Sequence, residues 1–532
     1  MNPSRLSFQL DAHAKGCQAR AATFQTLHGV IETPLFMPVG TQATVKAQTV
    51  ESLADSGSQI LLANTYHLLL RPGAEVFERI GGIHHFMKWP GSVLTDSGGY
   101  QIFSLPNSRQ MTEKGAIFQS YVDKRYILLS PEVSIQMQRS IGSDIMMVLD
   151  QCIPSTANES TARAALKVTH RWAQRSLAAR GDSAQSLFAI VQGAMFPHLR
   201  KESASGLIEL PFDGFAIGGL AVGEAKHERE DICELTASLL PQDRPRYLMG
   251  VGTPLDLLEG VYRGIDMFDC IIPTQVAKRG TAFTSRGLVE LRRSVYKFSD
   301  TPLDPSCTCA VCRKHSRAYL HHLTKTQESL GWQLIGQHNI HFYHQLMREI
   351  RSSILDGKFT ELYRSKREEL DQADPDHPAA HPKPTTAATT ALTLGKFEIK
   401  DRTLIHRPTQ RKIETKSCKP VSLPKELFGN HTSPYVIWDI GLGSGIQAMD
   451  WISTYQLTKK KEKLGPLEIY SFCNDLDASR LAMKCRRLLN LSIHYSMDEF
   501  IERGVWHSKP DNDVSWFLNE PRAKRPSLII RS

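Results

Sequence analysis

Long apolar runs are what this 532-residue chain most plainly lacks. Nowhere do about eighteen apolar residues follow one another, the length a helix needs to span a bilayer. The polar start (Asn2, Ser4, Arg5) holds no apolar signal core, so the expectation is a cytoplasmic protein without a membrane span. Disulfide spacing is missing too. Of ten cysteines, Cys17, Cys152, Cys233, Cys270, Cys418, Cys473 and Cys485 are scattered, as in a reduced protein. Charge of one sign is scarce: 64 Lys and Arg against 55 Asp and Glu leave a net +9, mild for the length. A polyanionic partner is compatible with that balance only if the basic residues cluster.

What the chain does have is one cysteine cluster, Cys307-Thr-Cys309-Ala-Val-Cys312, followed after twenty-five intervening residues by His338. C-x-C followed by C-x2-C brings three thiolates to one ion from a tight turn, and a distant imidazole completes a tetrahedron of the kind Zn2+ prefers. With four protein ligands and no open position, the expected ion is structural. By spacing alone His315, His321, His322, His341 and His344 compete with His338 for the fourth place.

The stretch 371–395, with Pro375, Pro378, Pro382 and Pro384 among small residues, has the composition of a flexible tether. It separates a body, residues 1–370, from a C-terminal piece, 396–532. The body repeats one texture: a short apolar run, a polar or glycine-containing turn, then a helical stretch. Eight runs fit: Phe36–Val39, Ile60–Ala63, Ser92–Leu94, Ile145–Leu149, Phe188–Val191, Phe215–Ile217, Tyr247–Met249 and Met267–Phe268. Near-continuous apolar strands alternating with helices imply a parallel sheet buried on both faces, and eight repeats imply an α/β fold of the (β/α)8 TIM-barrel type. A hairpin insertion is expected at Ile117–Tyr121 and Tyr126–Leu129.

Chemistry in such a barrel sits at the C-terminal ends of the strands. Asp96, Asp150, Gln192, Gly218-Gly219, Gly250 and Asp269 stand there. A lone strand-end aspartate is ordinarily a helix cap, but three carboxylates with an amide at one mouth suit a pocket. Two of the carboxylates can serve as nucleophile and acid in glycosyl transfer. The third, beside Gln192, suits a flat heterocycle, with backbone N–H groups at the glycines as further donors. Tyr100 and Met249 are placed to sandwich a ring.

Thr95-Asp96-Ser97-Gly98-Gly99-Tyr100-Gln101, Gly218-Gly219-Leu220-Ala221-Val222-Gly223-Glu224, Met267-Phe268-Asp269-Cys270 and the Cys/Cys/Cys/His cluster together resemble the bacterial tRNA-guanine transglycosylases, across roughly residues 5–370. The resemblance implies a (β/α)8 barrel with an inserted zinc subdomain, here about residues 300–345, and His338 as the fourth ligand. It implies exchange of the wobble guanine in tRNAs with a GUN anticodon for 7-aminomethyl-7-deazaguanine, in queuosine biosynthesis. Asp269 would be the nucleophile and Asp96 the general acid and base. Asp150, Cys152, Gln192, Gly219 and Gly250 would hold the base, Tyr100 and Met249 would stack on it, and Leu220 and Glu224 would sense its aminomethyl group. Val222 should crowd the larger queuine, whose insertion is the alternative. A non-catalytic tRNA-binding partner subunit is disfavoured because Asp96 and Asp269 are both retained. Family members commonly dimerise near the zinc subdomain, so a homodimer is expected.

The chain departs from the family where PTRNARNG is usual: it reads Pro273-Thr274-Gln275-Val276-Ala277-Lys278-Arg279-Gly280. Gln275 loses an expected arginine, Lys278 keeps charge without a bidentate fork, and Arg279 can compensate. Arg313, Lys314 and Arg317, beside the cysteines, are further RNA-binding candidates.

The C-terminal piece carries Asp439-Ile440-Gly441-Leu442-Gly443-Ser444-Gly445 after the apolar run Tyr435–Trp438. Strand, glycine turn and helix in that order resemble the first motif of S-adenosylmethionine-dependent methyltransferases, in a partial Rossmann-like segment with Asp439, Gly441, Gly443 and Gly445 as the cofactor turn. Roughly 94 residues from Asp439 onward are few for a full domain of that kind. A remnant is therefore expected over a bifunctional tRNA modifier.

Overall fold

The computed structural model describes residues 5–104 and 109–372, Asp374 and Asp376, and beyond these only the strands of the C-terminal part. The chain divides into two compact units, Met1–Pro378 and Ala379–Ser532.

All eight apolar runs of the body become strands of one closed parallel barrel: β1 Leu35–Gly40, β2 Ile60–Ala63, β3 Ser92–Thr95, β4 Ile145–Met147, β5 Ser186–Val191, β6 Gly214–Ile217, β7 Arg246–Leu248 and β8 Met267–Cys270. They pair in sequence order, and the ring closes where Met267–Cys270 of β8 lie opposite Leu35–Pro38 of β1. Every residue of β2, β3, β5, β6 and β8 is buried, which is why these strands read as unbroken apolar runs rather than alternating ones.

Helix limits follow local chemistry. Ser130 accepts the Val133 N–H, Pro131 occupies the first turn, and Gly142, at φ 73°, ends the helix Pro131–Ile141 in the left-handed region. This helix delivers the chain into β4. A three-stranded antiparallel sheet (Gln9–His13, Arg20–Thr26, Gly29–Thr33) precedes the barrel. Its Arg20 grips Asp266, just before β8, through Nε–Oδ1 at 2.9 Å and an Nη2–Oδ2 contact of 2.6 Å. Both side chains are buried, so losing either partner would strand a charge at a cost of about 3–5 kcal/mol.

The insertion between β3 and β4 is a three-stranded sheet, Arg109–Met111, Ala116–Gln119 and Tyr126–Leu129. Two of these strands match the expected hairpin. The third has no apolar alternation to announce it.

The C-terminal unit contains an antiparallel meander, Leu392–Leu394, Phe397–Lys400, Thr403–His406 and Arg411–Ile413. Its first strand lies inside the stretch whose composition suggests a tether; most of that stretch is outside the described residues. A second sheet places Tyr435–Ile440, Leu467–Phe472 and Val514–Asn519 in parallel, with Val505–His507 antiparallel at its edge. Asp439 ends a strand as expected; the turn with Gly441, Gly443 and Gly445 lies outside the described residues.

Candidate active site and metal centre

Six neighbouring strands, β3 to β8, send their C-terminal ends to one mouth. Asp96 follows β3, Asp150 follows β4, Gln192 follows β5, Gly218-Gly219 follow β6, Met249-Gly250 follow β7, and Asp269 lies within β8.

Asp269 is 9% exposed. Both of its hydrogen bonds fall on Oδ1, from the Tyr247 hydroxyl at 2.6 Å and the Gly250 N–H at 2.7 Å. Gly250 sits at φ 69°, where a glycine turns its N–H inward without steric cost. Burial raises the Asp269 pKa, and the two donors work against that rise. Asp96 accepts from Asn64 Nδ2 at 2.5 Å and Gln101 Nε2 at 3.0 Å on Oδ2, and from the Thr65 N–H at 3.0 Å on Oδ1. Burial, followed by the nearby Asp269 charge, pushes its pKa up to about 7. Two carboxylates at one mouth are thus held differently. One has an oxygen fixed by two donors, and the other is poised to exchange a proton near neutrality.

Asp150 and Gln192 form one polar edge of the mouth. Gln192 Nε2 donates to Asp150 Oδ2 at 2.7 Å, and the Cys152 thiol reaches the same oxygen at 3.5 Å. Gln192 Oε1 is buried without a partner, a spare acceptor beside Asp150. Two glycines make this edge sterically feasible. A Cβ on Gly99 would stand 2.9 Å from Asp150 Oδ1, and one on Gly219 would stand 2.2 Å from Gln192 Oε1. Leu220 is buried and Val222 half-buried in the following loop. There the Glu224 carboxylate accepts from the Ala221 N–H, and from the Val222 N–H at 3.0 Å. Ala221 holds φ 58°, unusual for a residue with a Cβ, so this loop is tightly determined. Tyr100, 52% exposed on the helix after β3, and half-buried Met249 complete the rim.

Sequence reasoning passed over Tyr247, Asn64, Gln101 and Arg200. Arg200 is wholly buried in the helix Pro197–Ile208. Its guanidinium donates to Val191 O at 2.9 Å, Gly218 O at 2.8 Å and Ala194 O at 2.9 Å, tying the ends of β5 and β6 together under Gln192. An arginine nine residues past a strand end, in a helix otherwise rich in surface residues, carries no sequence signal of this role.

Cys307, Cys309, Cys312 and His338 come together as a group able to hold a metal ion. Their Sγ atoms lie 3.7, 3.5 and 3.3 Å from His338 Nδ1. Tetrahedral zinc with ordinary Zn–S and Zn–N lengths demands sulfur–nitrogen edges of about 3.6 Å, so the four groups fit. His338 Nε2, 2.7 Å from Phe283 O, is the donor there, which leaves the Nδ1 lone pair for an ion. The rival histidines are placed otherwise: His321 on Leu291 O at 2.6 Å, His344 on Ser58 at 2.8 Å, and His315 stacked on Tyr319.

The basic candidates divide. Gln275, Lys278 and Arg279 are exposed on and after the helix Ile272–Lys278, and Lys278 Nζ rests 5.2 Å over the Trp332 ring. Arg313 and Lys314 are exposed on the helix Ala310–Lys314. Arg317 has another employment. Its guanidinium donates to Leu303 O at 2.8 Å and pairs with Asp376 at 3.1 Å. Beside it Asp374 accepts from the Tyr296 hydroxyl at 2.5 Å and pairs with Arg293 at 2.8 Å.

Among the described residues no helix is long and apolar enough to cross a membrane. The family described as queuine tRNA-ribosyltransferase matches residues 15–372. A queuine tRNA-ribosyltransferase of Solidesulfovibrio magneticus is 51% identical over 354 residues, 66% of this chain and 95% of that one. One of Francisella tularensis subsp. tularensis (strain SCHU S4 / Schu 4) is 48% identical over 354 residues, 66% of this chain and 96% of its own. These matches stop short of the C-terminal unit, so they lend no support to a methyltransferase fusion or to S-adenosylmethionine there. Matched by the family over residues 15–372, two thirds of its length, and 51% identical to a relative covered almost end to end, the chain belongs to the queuine tRNA-ribosyltransferase family.

Proposed function

We propose that the barrel mouth exchanges the wobble guanine of GUN-anticodon tRNAs for 7-aminomethyl-7-deazaguanine, with a covalent enzyme–ribose intermediate. The observation that carries this reading is the unequal holding of Asp269 and Asp96. Asp269 Oδ2, the oxygen away from Tyr247 and Gly250, attacks the ribose anomeric carbon as the glycosidic bond to guanine breaks. The electron pair of that bond leaves with the base, and Asp96 supplies the proton that neutralises it. In the second half the incoming base loses a proton to Asp96 and attacks the same carbon, and Asp269 departs as a carboxylate. Each displacement inverts the centre, so the ribose configuration is retained. The donors on Oδ1 stabilise that carboxylate, each bond to a charged group contributing about 1.5–3 kcal/mol.

Asp150 accepts the N–H donors of the base, while Gln192 and the Gly219 backbone serve its carbonyl side. Cys152 and Gly250 complete the pocket, and Tyr100 and Met249 stack on the ring faces. The Leu220 carbonyl and Glu224 meet the aminomethyl group, and Val222 narrows the loop against the cyclopentenediol of queuine. Gln275, Lys278, Arg279, Arg313 and Lys314 face the RNA, and Arg317 braces the subdomain that presents them. The ion held by the cysteines and His338 is structural Zn2+. Exposed Tyr319 and Phe298 on the same subdomain support a homodimer interface, and tRNA as substrate supports a cytoplasmic location. The transglycosylase takes in residues 1–376 rather than ending at 370, because Asp374 and Asp376 pair with Arg293 and Arg317 of the body. The tether of 371–395 is shortened accordingly, and within 396–532 the Rossmann-like remnant is the parallel sheet of Tyr435–Ile440, Leu467–Phe472 and Val514–Asn519.

The test is exchange of labelled guanine into a GUN-anticodon tRNA, with guanine, 7-aminomethyl-7-deazaguanine and queuine as competitors. Asp269→Asn is expected to abolish the denaturant-stable RNA adduct; an adduct of normal yield in that variant sinks the assignment. Queuine competing as well as the aminomethyl base would overturn the role given to Val222.

A further inference from the structure

At the other end of the barrel, away from the mouth, three metal-ligating side chains meet that the reaction does not use. His28 lies in the turn between the strands Arg20–Thr26 and Gly29–Thr33, His84 on the helix Ile83–Met87, and Asp144 immediately before β4. Their ligand atoms all lie within 4.8 Å of one another. Asp144 is 1% exposed and held by backbone donors, Val93 N–H to Oδ2 at 2.8 Å and His28 N–H to Oδ1 at 2.9 Å. His28 Nδ1 stands 2.9 Å from Oδ1 and His84 Nε2 stands 3.2 Å from Oδ2. The two imidazole rings stack with centroids 3.5 Å apart.

Two imidazoles crowded on one buried carboxylate share either protons or a cation. His84 Nε2 is the telling atom. It is buried and makes no aligned hydrogen bond, although an acceptor lies within reach. A protonated Nε2 would turn toward Asp144 Oδ2. A lone pair there would instead face the lone pairs of the carboxylate, a repulsion that a cation between them relieves. The carboxylate already has the backbone donors that orient a metal-binding carboxylate. The His28 ring, 37% exposed, leaves a route for the ion from solvent; rings stacked 3.5 Å apart cannot both aim a lone pair at one ion, so His28 swings off His84 as the ion binds.

We propose that His28, His84 and Asp144 form a second metal site, separate from the cysteine cluster, that takes a divalent transition cation of the Zn2+ class. Two imidazoles and one carboxylate, with water in the fourth place, are an ordinary ligand set for such an ion. The ion staples the N-terminal sheet to the helix Ile83–Met87 and to the start of β4. It lies too far from the strand C-termini to touch the base or the ribose, so its role is to hold structure.

The experiment uses the full chain, stripped of metal and titrated with Co2+. The expected result is two bound equivalents. One shows the intense near-ultraviolet thiolate-to-cobalt band of the cysteine cluster, and the other shows only weak visible bands from nitrogen and oxygen ligands. His28→Gln and, separately, His84→Gln should each remove the second equivalent, leave the thiolate band intact and abolish the rise in melting temperature on adding the second equivalent of Zn2+. His28→Gln alters a side chain at the surface, so a folding failure in His84→Gln leaves the test in force. A single equivalent in the wild type, or a second one unchanged in both variants, overturns the proposal. Neither outcome bears on the transglycosylase reading, which rests on the other end of the barrel.

Discussion

The Tyr247 hydroxyl donates to Asp269 Oδ1 at 2.6 Å, joining neighbouring strands β7 and β8 through the group that carries the proposed attack. Burial, and then the adjoining carboxylate, push the phenol pKa far up, so Tyr247 stays a donor at every pH the protein meets. Tyr247→Phe is expected to keep forming the RNA adduct but to release it roughly 10–100-fold more slowly, the loss of one bond to the departing carboxylate. Because that bond favours the ionised form of Asp269, the acid side of the rate profile should move to higher pH. Single-turnover adduct formation and its discharge by free base, followed between pH 5 and 9, measure both effects, and wild-type rates and profile in the variant would contradict the role.

Asp96, the proposed acid and base, links exchange to stability. Its folded pKa, about 7, is raised from 3.8, with burial the main cause. Its contribution to stability is therefore fully present below pH 3.8 and is lost as pH rises through about 7. Asp96→Asn should melt above the wild type at pH 8, with the difference closing toward pH 4, while base exchange is lost. Calorimetry at the two pH values reads the effect; equal melting temperatures at pH 8 would count against a carboxyl strained by ionisation.

Gly219→Ala should act on base binding. Its Cβ would stand 2.2 Å from Gln192 Oε1, and its φ of 64° strains any residue with a side chain. Displacing the amide removes about one hydrogen bond to the base. The KM for the base should rise about tenfold or more, with a smaller change in kcat. A KM within twofold of wild type would show that Gln192 does not read the base.

Cys309→Ser should lower the metal content at the cysteine cluster and unfold the subdomain built on it. The melting curve should gain an early transition and tRNA binding should weaken. Binding of the free base, measured by calorimetry on the full chain, should persist because the barrel mouth shares no ligand with the cluster. Loss of base binding together with tRNA binding would tie the metal to the pocket itself.

Much of the barrel was legible because burial on both faces leaves its mark in sequence. Phe188–Val191 and Met267–Phe268 have no polar partner positions, and Asp96 and Asp269 stand out as polar residues where such runs end. The cysteine cluster was legible by spacing, although only the family resemblance singled out His338. What stayed hidden are partnerships across strands. Tyr247 reads as one more apolar strand residue until β7 pairs with β8. Arg200 reads as surface until its helix folds back on the ends of β5 and β6. His28, His84 and Asp144 are separated by 56 and 60 residues and share no pattern, so only the closed ring reveals them together. The basic residues near the cysteines show the converse. Arg317 matches Arg313 and Lys314 in type and in neighbourhood, yet its guanidinium is turned inward by the Leu303 carbonyl and Asp376.

Asp374 and Asp376 have a practical meaning for anyone dividing this protein. Cutting the chain at the end of the helix Phe359–Leu370 would seem a clean way to isolate the barrel. It would also delete the carboxylates that face Tyr296, Arg293 and Arg317, leaving the phenol and the Arg293 guanidinium without their carboxylate and Arg317 with backbone carbonyls alone, beside the cysteine cluster. An expression boundary placed after Asp376 keeps those acceptors in place, whereas one placed a few residues earlier would yield a weakened subdomain whose defects could be mistaken for a consequence of losing the C-terminal unit.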